Sequence, residues 1–201
     1  MSQKITLHQI NKFWNWFGDN YQNFGEDFDN LNLLDELDAQ ISTLGNFSWE
    51  VGPGKLQSNA LVISPNGDPE LLPKTKEIIS YAKPCSGWEY YYAKPPKDWD
   101  FIFEYETVDG TDIQVNAAYW DYVLLNYEDS EFGIIVKAPD IIQLQEDDKL
   151  SIVEIVLDGV LGEEMRMQLI EEIDIVQEFK AAEQAKGTNI KYLLKHIEQL
   201  Q

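Results

Sequence analysis

The chain has 201 residues, 44% of them hydrophobic and 12% aromatic, enough for a packed core and too many for a disordered polymer. Fifteen Lys and Arg against 36 Asp and Glu leave a formal charge of −21, which argues against a phosphate-neutralising nucleic-acid groove and against docking on an anionic membrane. Arg166 is the only arginine and Cys85 the only cysteine, so clamps of several arginine forks, an intrachain disulfide and multi-cysteine zinc sites are excluded.

In chain order, Ile5, Leu7, Ile10, Phe13, Trp14 and Phe17 recur at spacings of three and four, which predicts an amphipathic helix stopped by Gly18. Leu31, Leu34, Leu37, Ile41 and Leu44 repeat the pattern from Asp29 onward, with Gly45 as a stop. The period then changes. Phe47, Trp49 and Val51 alternate with polar residues before Gly52-Pro53-Gly54, a strand ending in a tight turn, and Leu56 to Ile63 is a second strand. Pro69 after an Asp68 cap opens a helix whose stripe runs through Leu72, Thr75, Ile78 and Ile79 to Pro84.

Trp88 to Ala93 predicts another strand. Phe101, Phe103 and Tyr105 alternate before the hairpin-type turn Asp109-Gly110, which leads into Ile113 and Val115. Tyr122 to Tyr127 and Phe132 to Val136 form a further pair. Leu150 to Leu161 returns to helical spacing, with Glu146, Asp147 and Asp148 where a helix dipole favours acids. Met165, Met167, Leu169, Ile173 and Ile175 fall on odd positions and predict a strand over 165–176, with a continued helix as the alternative; residues 188–200 predict a short terminal helix.

Hairpins dominate this order, and helices cross over only twice. The expected class is α+β: a mostly antiparallel sheet with helices packed on one face, preceded by an N-terminal helical hairpin. Residues 1–45 are read as that hairpin, packed on the core, and residues 46–201 as the core domain. The hairpin is expected to bury Trp14, Phe17, Leu34 and Leu37 against the sheet. The amino terminus, MSQKITLHQINKFWNWF, shows no apolar segment followed by a small-residue cleavage site, and no stretch approaches the ~20 apolar residues of a membrane span. Cytoplasmic residence follows as the expectation.

Some segments are familiar. Trp49-Glu50-Val51-Gly52-Pro53-Gly54, then Leu61-Val62-Ile63-Ser64, and later Leu157-Asp158-Gly159-Val160-Leu161-Gly162-Glu163, resemble an uncharacterised family of small bacterial proteins. That family has a W-E-x-G-P-G turn, an L-V-I-[ST] strand and an L-D-x-x-L-G-E helix end. The resemblance covers roughly residues 47–177 and implies an element order, but no activity.

Several patterns invite chemistry. Gly52-Pro53-Gly54-Lys55 lacks the phosphate-loop spacing, and Pro53 has no N–H to offer an anion, so a turn explains it. Carboxylate pairs (Asp98 and Asp100, Glu104 and Glu106, Glu163 and Glu164) are too common to identify a site, since acid–base work needs one carboxyl desolvated beside one kept ionised. Glu50, between Trp49 and Val51 before a rigid turn, is the most interesting single acid. Asn126, Glu128, Asp129 and Glu131 gather oxygens at a hairpin tip without the calcium-loop pattern. His8 and His196 lie near opposite ends of the chain, and no metal or other cofactor is expected. Cys85, at a helix end between Pro84 and Ser86, reads as a packed thiol.

The aromatic run Trp88, Tyr90, Tyr91 and Tyr92 reads first as strand packing. The segment after it, Lys94-Pro95-Pro96-Lys97-Asp98-Trp99, reads as a stiff recognition loop, with Lys94, Lys97, Asp98 and Trp99 as binding residues beside Glu50. Together these features point to a non-catalytic acidic interaction module, inhibitor- or immunity-like, whose charge steers it to a basic partner protein and away from direct contact with nucleic acid. A small carboxylate-dependent hydrolase or sugar-binding enzyme is the alternative.

Overall fold

In the computed structural model, which describes residues 5–25, 27–127 and 131–200, the first apolar stripe becomes helix α1 (Leu7–Asn20). Thr6 and Gln9 close a reciprocal capping box at its start. Gly18 does not stop the helix, which runs on to Asn20; a glycine inside a helix costs only about 1 kcal/mol, less than the burial of Phe17 beside it contributes. Helix α2 (Leu31–Ser42) follows, with the Asn30 side chain accepting from the Leu33 N–H at 3.4 Å. Strands β1 (Ser48–Pro53) and β2 (Asn59–Ser64) pair antiparallel, with Glu50 opposite Val62. Helix α3 (Leu72–Ser80) starts later than expected: Asp68 takes the Glu70 N–H at 2.8 Å in a local turn, and Pro73 sits in the first helical turn, where its missing N–H costs nothing. Strand β3 (Trp88–Tyr91) then joins β2 in parallel.

These elements share one core. Trp14, Phe17 and Leu37 are buried with Leu61, Ile63, Ile78 and Trp88, and Leu34 packs against them half-buried. Trp14 and Tyr90 meet edge to face at 4.9 Å, as do Phe17 and Trp88 at 5.0 Å. Because the apolar faces of α1 and α2 close over β2 and β3, the hairpin and these strands make one compact unit, Met1–Lys94. The boundary expected after residue 45 lies inside it.

The second unit, Pro95–Gln201, begins with the antiparallel pair β4 (Ile102–Glu106) and β5 (Asp112–Asn116). Strands β6 (Asp121–Asn126) and β7 (Phe132–Lys137) follow, then helices α4 (Glu146–Leu161) and α5 (Glu163–Leu169). Strand β8 (Ile170–Val176), helix α6 (Ala181–Gln184), strand β9 (Thr188–Asn189) and helix α7 (Leu193–Glu198) complete the chain. The strand order is β8-β7-β6-β9, with β7 and β8 parallel. Trp120, Tyr122, Ile134, Val156, Leu157 and Ile197 lie in its core. Among the described residues no helix is long and apolar enough to cross a membrane.

The class is α+β, but the single, mostly antiparallel sheet of the sequence reading becomes three sheets, and β2–β3 and β7–β8 are parallel. Each parallel pair is joined by a connection containing helix, α3 in one case and α4–α5 in the other, as a crossover requires. The expected strand over 165–176 is corrected as well. Met165 and Met167 belong to α5, and only residues 170–176 are extended. Ionic contacts of Arg166 with Asp158 and Glu154 favour the helical turn over the alternation of the apolar residues.

Candidate functional site

The hairpin β4–β5 sorts its side chains strictly. Phe103, Tyr105, Ile113 and Val115 face the core, while Glu104, Glu106, Asp112, Gln114 and Asn116 are exposed. Glu106 lies directly opposite Asp112, a like-charge pairing that costs stability and gains nothing inside the fold. The chain leaves β5 through a single 3-10 turn, Ala117–Tyr119, which presents Tyr119 with 81% of its surface exposed. That turn is held rigidly: the Asn189 side chain donates to the carbonyls of Ala118 at 3.0 Å and Trp120 at 3.1 Å, and Trp120 Nε1 donates to Asp140 at 2.8 Å. An acidic ribbon thus leads into a held backbone turn that carries an exposed aromatic.

The 94–99 segment lies differently from its sequence reading. The Lys97 N–H donates to the Gly159 carbonyl at 2.8 Å, which ties the segment to α4. Trp99 is half-buried against Phe101 and Phe103, and its Nε1 is buried without a hydrogen-bond partner among the described residues. Its ring lies so close to α4 that a Cβ added at Gly159 would stand 2.6 Å from it. The indole therefore packs inward, while Lys97 and Asp98 are exposed. We expect Gly159→Ala to destabilise the protein by about 1–3 kcal/mol, because overpacking outweighs the roughly 1 kcal/mol gain in helix propensity. Urea unfolding reads this directly; an unchanged midpoint would mean that the indole moves aside freely.

Beneath this contact, Arg166 Nε donates to Asp158 at 2.5 Å and its Nη1 donates to Glu154 at 3.1 Å. Arg166, Asp158 and Glu163 are buried, so the L-D-x-x-L-G-E segment supplies an interior ionic cluster rather than a solvent-facing site.

Glu50 and the 97–99 segment belong to different compact units. In the first unit Glu50 is half-buried on β1, and Lys94 is half-buried at the unit's last position. The acid with a defined structural task there is Glu89. Its carboxylate accepts from the N–H groups of Lys55, Leu56 at 2.9 Å and Gln57 at 3.1 Å, and from the Tyr91 hydroxyl at 2.9 Å. Burial pushes its pKa up, but the bonds from Lys55, Tyr91, Leu56 and Gln57 together outweigh this and hold it below the ordinary value of 4.5. A depressed carboxyl stabilises the fold above its unfolded pKa and loses that contribution as the pH falls through its folded pKa. Amide exchange at Lys55–Gln57, corrected for its intrinsic pH dependence, should therefore lose protection below about pH 4.5 and lose it at neutral pH in Glu89→Gln. This arrangement also replaces the expected start of β2 at Leu56 with a loop, since three N–H groups face Glu89 instead of a neighbouring strand.

Trp88 and Tyr90 enter the core as strand packing requires, and Cys85 lies half-buried against the same core. Of the oxygen-rich hairpin tip, Asn126 and Glu131 are exposed, whereas Glu128 and Asp129 lie outside the described residues. Among the described residues no group of three or more His, Cys, Asp or Glu is placed to hold a metal ion. Sequence reasoning missed Tyr119. Its signal was the break in alternation at Ala117-Ala118, which turns the next aromatic outward. No family model, curated protein or solved structure matches this chain.

Proposed function

We propose that the protein is a non-catalytic acidic interaction module, inhibitor- or immunity-like, that docks a basic partner protein. The observation that carries this reading is the outer face of β4–β5, where Glu104, Glu106 and Asp112 stand exposed, followed by the held turn on which Tyr119 is exposed. Such a face supplies what an interface to a cationic groove uses. Carboxylates steer the encounter, and an aromatic on a held backbone turn anchors the docked state. The opposed Glu106 and Asp112 gain from a partner cation placed between them, which reverses a local repulsion. Free phosphate backbones meet the opposite: the same face repels them.

The loop residues Lys97 and Asp98 remain part of the proposed surface as exposed polar groups, with Trp99 as the packing that holds the segment in place. Residence in the bacterial cytoplasm and membership of the small bacterial family belong to the same proposal; both rest on sequence features alone.

The test is affinity capture from the native host with wild type and the triple variant Glu104→Lys/Glu106→Lys/Asp112→Lys as baits, followed by mass spectrometry and reconstitution from purified components. A basic protein that binds wild type and is lost from the triple variant supports the reading. Retention of the same partner by both baits, or a reconstituted pair insensitive to the triple variant, contradicts it.

A further inference from the structure

The first unit contains a pocket of about 290 Å³ where three helix ends converge. Ile5 and Gln9 line it from the start of α1, residues 42–47 from the end of α2, and Leu71 and Lys74 from the start of α3. Its walls are built. Gln9 Nε2 donates to the Thr43 carbonyl at 3.0 Å, while Gln9 Oε1 accepts from the Thr6 N–H at 3.0 Å and the Thr6 hydroxyl at 2.7 Å, locking α1 to α2. Gly45, at a φ of +158°, lets the Phe47 ring fold across it; a Cβ there would stand 2.8 Å from the ring.

The chemistry of the lining narrows the ligand. Leu44, Phe47, Ile5 and Leu71 offer apolar surface, and Ser42 and Asn46 offer polar groups. Among the described lining residues Lys74 is the only charged one, in a chain with a formal charge of −21. Lys74 has an interaction within the chain, but an ammonium carries three N–H donors and can serve a second acceptor. Among the described lining residues an organic cation finds no carboxylate to pair it, which is costly. A phosphate dianion would meet one ammonium and no arginine fork, too little compensation for two charges. With each water-sized group taking roughly 30 Å³, the volume suits roughly ten of them. We propose that this pocket binds a small organic monoanion with an apolar tail, a short-chain carboxylate, with its head on Lys74 and its tail against Phe47 and Leu44. This site is independent of the acidic face on the second unit.

The experiment is a two-dimensional amide NMR titration of the full chain with hexanoate, against hexan-1-ol, hexylammonium and inorganic phosphate at constant ionic strength. Hexanoate should give saturable shifts at Gly45, Asn46 and Lys74, with the other three probes weaker by about tenfold or more. Lys74→Gln, half-exposed in the wild type and so compatible with folding, should weaken hexanoate by about tenfold while leaving the remaining spectrum in place. No saturable shift up to about 20 mM, or an equal response to any comparator, overturns the proposal. So does a folded Lys74→Gln variant that binds hexanoate as wild type does. The comparison of probes on the wild-type chain decides the matter even if the variant does not fold.

Discussion

Replacing Trp14 with alanine should lower the thermal midpoint of the first unit by about 12 °C or more. Its indole is fully buried among Phe13, Phe17 and Tyr90, and Nε1 donates to the Ile78 carbonyl at 2.8 Å, tying α1 to α3. Removing a buried Trp costs about 3–5 kcal/mol, and each kcal/mol moves the midpoint of a domain this size by about 4–8 °C. Trp14→Phe keeps most of the packing and loses the hydrogen bond, so its loss should be a fraction of this. Differential scanning calorimetry separates the two. A Trp14→Ala midpoint within about 2 °C of wild type would mean that the hairpin contributes nothing to the unit it covers.

The second large effect belongs to Arg166. Removal of one partner from a buried ionic cluster costs about 3–5 kcal/mol, because a buried carboxylate loses a charge partner that water does not fully replace. Arg166→Met keeps the volume and removes the bonds to Asp158 and Glu154. The double variant Arg166→Met/Asp158→Leu should recover part of the loss by removing the buried carboxylate that had paired with Arg166 Nε. In urea unfolding the order of stability should be wild type, double variant, single variant. A single variant as stable as wild type would show that the cluster is solvated and energetically idle.

Much of this organisation is legible in the residue order, for physical reasons that can be named. The alternation of Phe103, Tyr105, Ile113 and Val115 specifies the inward face of β4–β5 because side chains on a strand have a period of two. Trp14, Phe17 and Leu37 announce the buried side of the hairpin in the same way at helical spacing. Other features depend on contacts distant in sequence. Glu89 reaches loop residues more than thirty positions earlier and converts the expected start of β2 into an anion-holding turn. Arg166 is drawn back to α4, so a segment with strand-like alternation stays helical for another two turns. Trp99 reads as a recognition residue beside a stiff Pro-Pro pair, yet the small residue that receives it, Gly159, lies sixty positions further on. Tyr119 belongs to no periodic stripe, and only the turn over residues 117–119 shows that it faces outward beside the buried Trp120.

Docking to a basic partner requires charge steering, and association kinetics measure it. With the basic partner identified by capture, stopped-flow association rates should fall steeply as ionic strength rises, since exposed charges are screened over a Debye length of about 8 Å at physiological salt. The triple charge-reversal variant at Glu104, Glu106 and Asp112 should associate about tenfold or more slowly at low salt and show a flat salt dependence, while Tyr119→Ala should chiefly accelerate dissociation. Equal association rates for wild type and the triple variant across the salt series would contradict the account. So would a turnover in the same mixture that Glu50→Gln abolishes, because the protein would then act as an enzyme rather than as a docking surface.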